Sequence, residues 1–119
     1  MGTTTKRFLV KESRNSGKKI EVDFLIDSGA VYSLVPKELL NSIGLEPYRT
    51  VDFALADGTK ITRQVGDAYF EYEGEVAPAP VIFGEEGDEP LLGVTTLKSL
   101  GLVLNPYKRE LYPMRMLMM

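Results

Sequence analysis

The chain has no histidine and no cysteine, and the two absences close several chemistries at once. Without histidine there is no serine-histidine triad and no histidine-anchored catalytic zinc. Without cysteine there is no thiolate nucleophile, no zinc finger and no disulfide staple. What remains is carboxylate, hydroxyl, lysine or tyrosine chemistry, together with metal binding through oxygen ligands. Long hydrophobic runs are missing as well: none approaches the roughly 18 residues of a membrane span. The polar start Met1-Gly2-Thr3-Thr4-Thr5-Lys6 has no signal-peptide stretch. Basic charge is not in excess, because the net charge is -3 with 26% charged residues, so nucleic acid is not an expected partner. The expectation is a soluble, cytoplasmic protein that binds no membrane and no nucleic acid, and a cysteine-free chain suits that compartment. At 119 residues with 44% hydrophobic content, it is expected to form one domain, 1–119, with a modest core.

What is present is mostly strand pattern. Ile20, Val22, Phe24 and Ile26 recur with a period of two, the mark of a strand with one buried face, and Phe8-Leu9-Val10 is an earlier strand joined to it through Asn15-Ser16-Gly17-Lys18. Val31 to Val35 follows the turn after Ile26. Pro36 then opens a short helix with Leu39, Leu40 and Ile43 on one side, and Gly44 ends it. Val51–Leu55 and Lys60–Val65 flank Ala56-Asp57-Gly58-Thr59, a strong hairpin signal. Ala68–Tyr72 and Val81–Phe83 follow as strands, with Pro78 and Pro80 confining the segment between them to an edge or an irregular path. The acidic loop Gly84–Pro90 reads as a mobile surface segment, and Tyr69, Tyr72, Tyr107 and Tyr112 read as strand and core residues. Leu91-Leu92-Gly93 leads into a second short helix with Leu97 and Leu100. Its ending echoes the first helix and hints at two halves around a pseudo-twofold axis. The apolar tail Pro113–Met119 reads as a frayed end, a cover for apolar surface, or an interface strand.

The most informative feature is Asp27-Ser28-Gly29, which closes the apolar run Phe24-Leu25-Ile26 and opens onto Ala30. A carboxylate is carried out of a buried strand into a tight turn, with a hydroxyl and a glycine directly behind it. Taken alone the tripeptide is also an ordinary turn, since all three residues favour turns. Taken with the Ala56–Thr59 hairpin and with Leu91-Leu92-Gly93 before a short helix, in this order, it resembles the retropepsin-like aspartic proteases, the single-lobe homodimeric relatives of pepsin. The resemblance implies an all-β fold, a closed β-barrel of the acid protease type with one or two short helices, and no metal or organic cofactor.

It further implies that Asp27 is the catalytic group. Peptide hydrolysis by this route needs two carboxylates sharing one proton, because neighbouring like charges do not both ionise cheaply. One such aspartate per chain therefore implies a homodimer acting on an extended peptide or protein substrate. By the same resemblance Ser28 would hydrogen-bond across the dimer, and Ala30 would line the substrate cleft. Ala56, Asp57, Gly58 and Thr59 would form a flap over the peptide, and Leu92 and Gly93 would buttress the catalytic turn. Gly29 would let the backbone approach the carboxylates. The chain departs from better-known members in a flap without the pepsin tyrosine or a glycine-rich tip. It departs again at Val31 and Tyr32, where retroviral enzymes carry acidic residues. Two other readings stand beside the protease: a noncatalytic peptide-binding or dimerisation module of the same fold, and a cation-binding β-domain that uses the acidic loop.

Overall fold

A computed structural model describes residues 3–114 of the chain. Strand β1 (Thr5–Lys11) pairs antiparallel with β2 (Lys19–Ile26), Phe8 opposite Val22 and Lys6 opposite Phe24. The period of two does what it dictates: Val22, Phe24 and Ile26 are buried while Glu21 and Asp23 face water, where Arg7 reaches both carboxylates. Next come β3 (Ser33–Pro36), helix α1 (Lys37–Ser42), β4 (Arg49–Ala54), β5 (Lys60–Tyr72) and β6 (Glu75–Gly84). The two-residue β7 (Leu91–Leu92), helix α2 (Val94–Ser99), β8 (Leu102–Asn105) and β9 (Glu110–Pro113) complete the chain.

Seven strands lie in the order β1-β2-β7-β3-β6-β5-β4, and β1 also pairs with β5, so that six of them close a ring. Inside it pack Phe8, Phe24 and Phe70, with Phe8 edge-on to Phe24 at 5.8 Å between centroids. Each such ring contributes roughly 1.5–3 kcal/mol by leaving water. Strand β4 extends beyond the ring, paired only to β5, and β8 and β9 form a separate hairpin.

The pairings carry the pseudo-twofold that the helix endings hint at. β2 runs parallel to β7 and β6 runs parallel to β3, while β3 and β7 meet antiparallel at Leu34 and Leu91. Exchanging β2-β3-α1 with β6-β7-α2 leaves this set of pairings unchanged.

The expectations differ from the structure in several places. Lys60–Val65 and Ala68–Tyr72 are one strand, because Gly66 and Asp67, weak strand formers, pair with Val81 and Pro80 inside a long ladder. The segment around Pro78 and Pro80 is regular, and its edge character is real. Prolines cannot donate to β5, so their nitrogens turn to the other side, where β3 begins pairing only at Val81. Tyr107 is 90% exposed in the β8–β9 turn, whereas Tyr72 stacks on Phe8. A further difference, the acidic loop, belongs to the site. Of the apolar tail, residues 115–119 lie outside the described residues. Among the described residues no helix is long and apolar enough to cross a membrane.

Candidate active site

Asp27 stands where β2 leaves the ring. Its amide donates to Leu92 O at 3.0 Å, continuing the parallel β2–β7 ladder by one bond, and its Oδ1 accepts the Gly29 N–H at 2.9 Å. The Ala30 N–H closes the turn onto Asp27 O at 3.1 Å. A Cβ on residue 29 would stand 3.2 Å from Asp27 Oδ1, so glycine is what lets the carboxylate keep that short bond. Asp27 is half-buried, and Ser28 beside it is exposed with its hydroxyl unused within the protomer among the described residues.

Beneath this turn lies a polar joint that sequence reasoning missed. Ser33 and Thr96 are both fully buried, their hydroxyls 2.5 Å apart, and Ser33 Oγ also accepts the Gly93 N–H at 3.0 Å. The joint ties β3 to the start of α2, whose Val94 and Thr95 amides donate to Ala30 O and Val31 O. Gly93 is packed so tightly that a Cβ there would lie 2.6 Å from Tyr32 O, a contact that backbone cannot yield cheaply. Leu92, fully buried, and Gly93 therefore lie directly against the Asp27–Tyr32 turn. The missed signal was parity: Ser33 shares the inward face with Val35, and Thr96 sits four residues before the buried Leu100.

The Asp27 turn separates two recesses. On one side an apolar cleft of about 310 Å³ runs between Ala30, Val31 and Tyr32 below and Phe53, Leu55 and Ile61 of the β4–β5 hairpin above. Tyr32 meets Phe53 edge-on, and its hydroxyl accepts Arg49 Nη2 at 3.2 Å. On the other side Asp27 borders a recess of about 260 Å³ with Leu104 and Pro106 of the β8–β9 hairpin.

The hairpin tip is a self-contained turn. Leu55 N–H donates to Thr59 O and Gly58 N–H to Leu55 O, while Asp57 Oδ1 accepts both the amide and the hydroxyl of Thr59, which lowers the Asp57 pKa below the ordinary carboxylate value. Ala56, Asp57, Gly58 and Thr59 are exposed and stand outside the lining of the cleft. The hairpin meets the cleft instead through the inward residues of its strands.

The acidic loop Gly84–Pro90 is held at two points. Asp88 receives a two-pronged bond from Arg63 of β5, Nε to Oδ2 at 2.7 Å and Nη2 to Oδ1 at 3.2 Å, and its Oδ2 also accepts the Glu85 N–H at 2.9 Å. Lys37, opening α1, binds Glu85 at 2.7 Å. The Arg63 bond is the main reason the Asp88 carboxyl is held below its usual range, against a smaller opposing push from burial. An isolated acidic run gave no hint of these cations, which lie more than twenty residues away. Among the described residues no group of three acidic side chains is gathered closely enough to hold a metal ion.

With this geometry in hand, the sequence profile of the aspartyl protease family matches residues 13–96, and the chain belongs to that family. Among solved structures it is similar to EIAV protease complexed with the inhibitor HBY-793, at 16% identity and a TM-score of 0.68, over 87% of this chain and 93% of that one. At that identity the likeness speaks for the fold, which is the all-β retropepsin-like fold expected from the resemblance. No curated protein sequence matches the chain.

Proposed function

We propose that the chain is a homodimeric aspartic endopeptidase in which Asp27 of each copy contributes one half of a catalytic dyad. The observation that carries the reading is the setting of Asp27. It is a half-buried carboxylate whose amide bonds Leu92 O and whose Oδ1 accepts the Gly29 N–H, bordering the recess beside the β8–β9 hairpin in a turn whose Ala30 lines the apolar cleft. Only one Asp-Ser-Gly turn occurs in the sequence, so the second carboxylate has to come from a second copy.

In the dimer the two aspartates share a proton. The ionised one takes a proton from a water molecule as the water oxygen bonds to the scissile carbonyl carbon, and the protonated one hydrogen-bonds the carbonyl oxygen. The tetrahedral intermediate collapses as the leaving nitrogen gains a proton and the C–N bond breaks. The exposed Ser28 hydroxyl would bond across the twofold, Leu92 and Gly93 would hold the turn from below, and Ala30 would line the cleft. The β4–β5 hairpin, tipped by Ala56 to Thr59, would close over an extended peptide gripped by main-chain hydrogen bonds. No cofactor enters the reaction, and the proposed address is cytoplasmic.

The deciding experiment pairs wild type with Asp27→Asn on a peptide library from acid to neutral pH, with a statine peptide as transition-state mimic. The expected result is cleavage and tight statine binding by wild type only, both proteins being folded dimers. Equal cleavage by the Asn variant rejects the assignment, and statine-independent peptide binding without cleavage by either favours the noncatalytic module.

A further inference from the structure

We propose that Arg63 and Asp88 are positioning residues that hinge the β4–β5 hairpin at its base and couple its angle to the Asp27 turn. The inference deepens the peptidase reading and rests on it for the consequence to catalysis.

Support for the hairpin runs out partway along its length. Every residue from Ala54 to Lys60 is exposed, and β4 pairs only with β5, so the outer arm has almost no packing to hold it at one angle. Going down β5, the inward positions are Ile61, Arg63 and Val65. Ile61 is partly covered by the cleft, and Val65 is fully buried and opposite Ile82. Arg63 lies at the transition between free arm and core, paired across the hairpin with Val51.

At that point the side chain is held by a two-pronged bond. Its guanidinium grips both oxygens of Asp88, and the two side chains are only 17% and 19% exposed. A planar fork on a carboxylate constrains direction as well as distance. Asp88 is in turn locked to its own loop: its Oδ2 accepts the Glu85 N–H and its N–H donates to Glu85 O at 3.0 Å. The start of the loop is anchored to the sheet, since Gly84 is in register with Pro36 at the end of the parallel β3–β6 ladder, and Lys37 adds an exposed ion pair to Glu85.

The same loop runs directly to the Asp27 turn. From Asp88 the chain passes Glu89 to Pro90, whose carbonyl accepts Leu25 N–H. Leu91 follows, lining the cleft, and then Leu92, whose carbonyl accepts the Asp27 N–H. Only three residues thus separate Asp88, whose carboxylate holds the hairpin, from Leu92, whose carbonyl holds the candidate catalytic aspartate. Movement of the outer arm has its fixed point at the Arg63–Asp88 pair, and a shift of that pair is passed to both walls of the cleft.

The test uses the full chain as wild type, Arg63→Gln, Arg63→Lys and Asp88→Asn, with two readouts. On a peptide that wild type cleaves, Arg63→Gln and Asp88→Asn are expected to lower kcat/KM by about tenfold to a hundredfold through mispositioning. The loss should be carried mainly by KM, with Arg63→Lys, which keeps the charge but not the fork, in between. Amide hydrogen exchange is expected to quicken in 51–63 and to stay at the wild-type rate in β1 and β2. Unchanged KM together with unchanged exchange overturns the proposal, as does exchange that quickens equally everywhere, which would mark a purely structural pair. Should wild type cleave nothing, or Asp27→Asn cleave as well as wild type, it is the peptidase reading that fails. Exchange then decides the hinge alone: quickening confined to the hairpin upholds it, and no change removes it.

Discussion

Asp27 and Asp88 occupy the two turns that the pseudo-twofold exchanges, one linking β2 to β3 and the other linking β6 to β7, and the fold treats them in opposite ways. Both carboxylates accept a nearby main-chain N–H: Gly29 for Asp27 and Glu85 for Asp88. Asp88 goes further and engages Arg63 with both oxygens, so its charge is neutralised and its position fixed. Asp27 meets no cation among the described residues. The lesson is about partners. A carboxylate with its own guanidinium is a staple, while one left with a single amide bond can still share a proton with another acid.

Removing each acid should therefore give different signatures, and the largest effect is the loss of activity at Asp27. Asp27→Asn is expected to lower peptide hydrolysis by at least about 10²–10⁴-fold, the usual contribution of a positioned acid or base. Its melting temperature should stay close to wild type, because no ion pair is lost; a steep fall in melting temperature would mean that Asp27 is structural too. Ser33→Ala, on the joint beneath the Asp27 turn, leaves the Thr96 hydroxyl and the Gly93 amide without their partner. Urea unfolding should show a loss of about 1–3 kcal/mol, the range for a buried polar group left unsatisfied. Asp88→Ala frees a partly buried guanidinium and should cost about 1–2 kcal/mol in the same measurement, less than a fully buried pair because water reaches the site.

The pH dependence sharpens the contrast further. The folded Asp88 pKa is depressed, so the stability it contributes is fully present above the unfolded carboxylate value of about 3.9 and is lost as pH falls through the lower folded value. The gap in melting temperature between wild type and Asp88→Asn is expected to be full at pH 7 and to close on acidification below about pH 4. A gap that stayed constant with pH would show that the Arg63 bond is not what stabilises the loop. The smallest effect belongs to the more exposed outer staple. Lys37→Gln should leave the melting temperature within error, as surface pairs usually do.

Much of this architecture is legible residue by residue. The alternation in β1 and β2, the Asp57-Gly58 hairpin and the helices ended by Gly44 and Gly101 all follow from forces acting within a few residues. Three features escaped, two of them because their partners lie far apart in the chain. The Ser33–Thr96 joint spans 63 residues and Arg63–Asp88 spans 25, while β8 and β9 are short strands whose turn looks like any proline-marked loop. The acidic loop looked mobile for the same cause, since its charge run says nothing about distant cations.

The sequence by itself determined the strand periodicity, the one Asp-Ser-Gly turn and the exclusion of histidine and cysteine chemistry, because residue identity and near-neighbour sterics suffice for each. Only the tertiary structure decided that the strands close a ring through β1 and β5, that Asp88 is neutralised while Asp27 is not, and that two hydroxyls meet in the core. Those outcomes depend on which distant groups burial brings within hydrogen-bonding range, and an unpaired charge or hydroxyl cannot specify its partner until the core has closed around it.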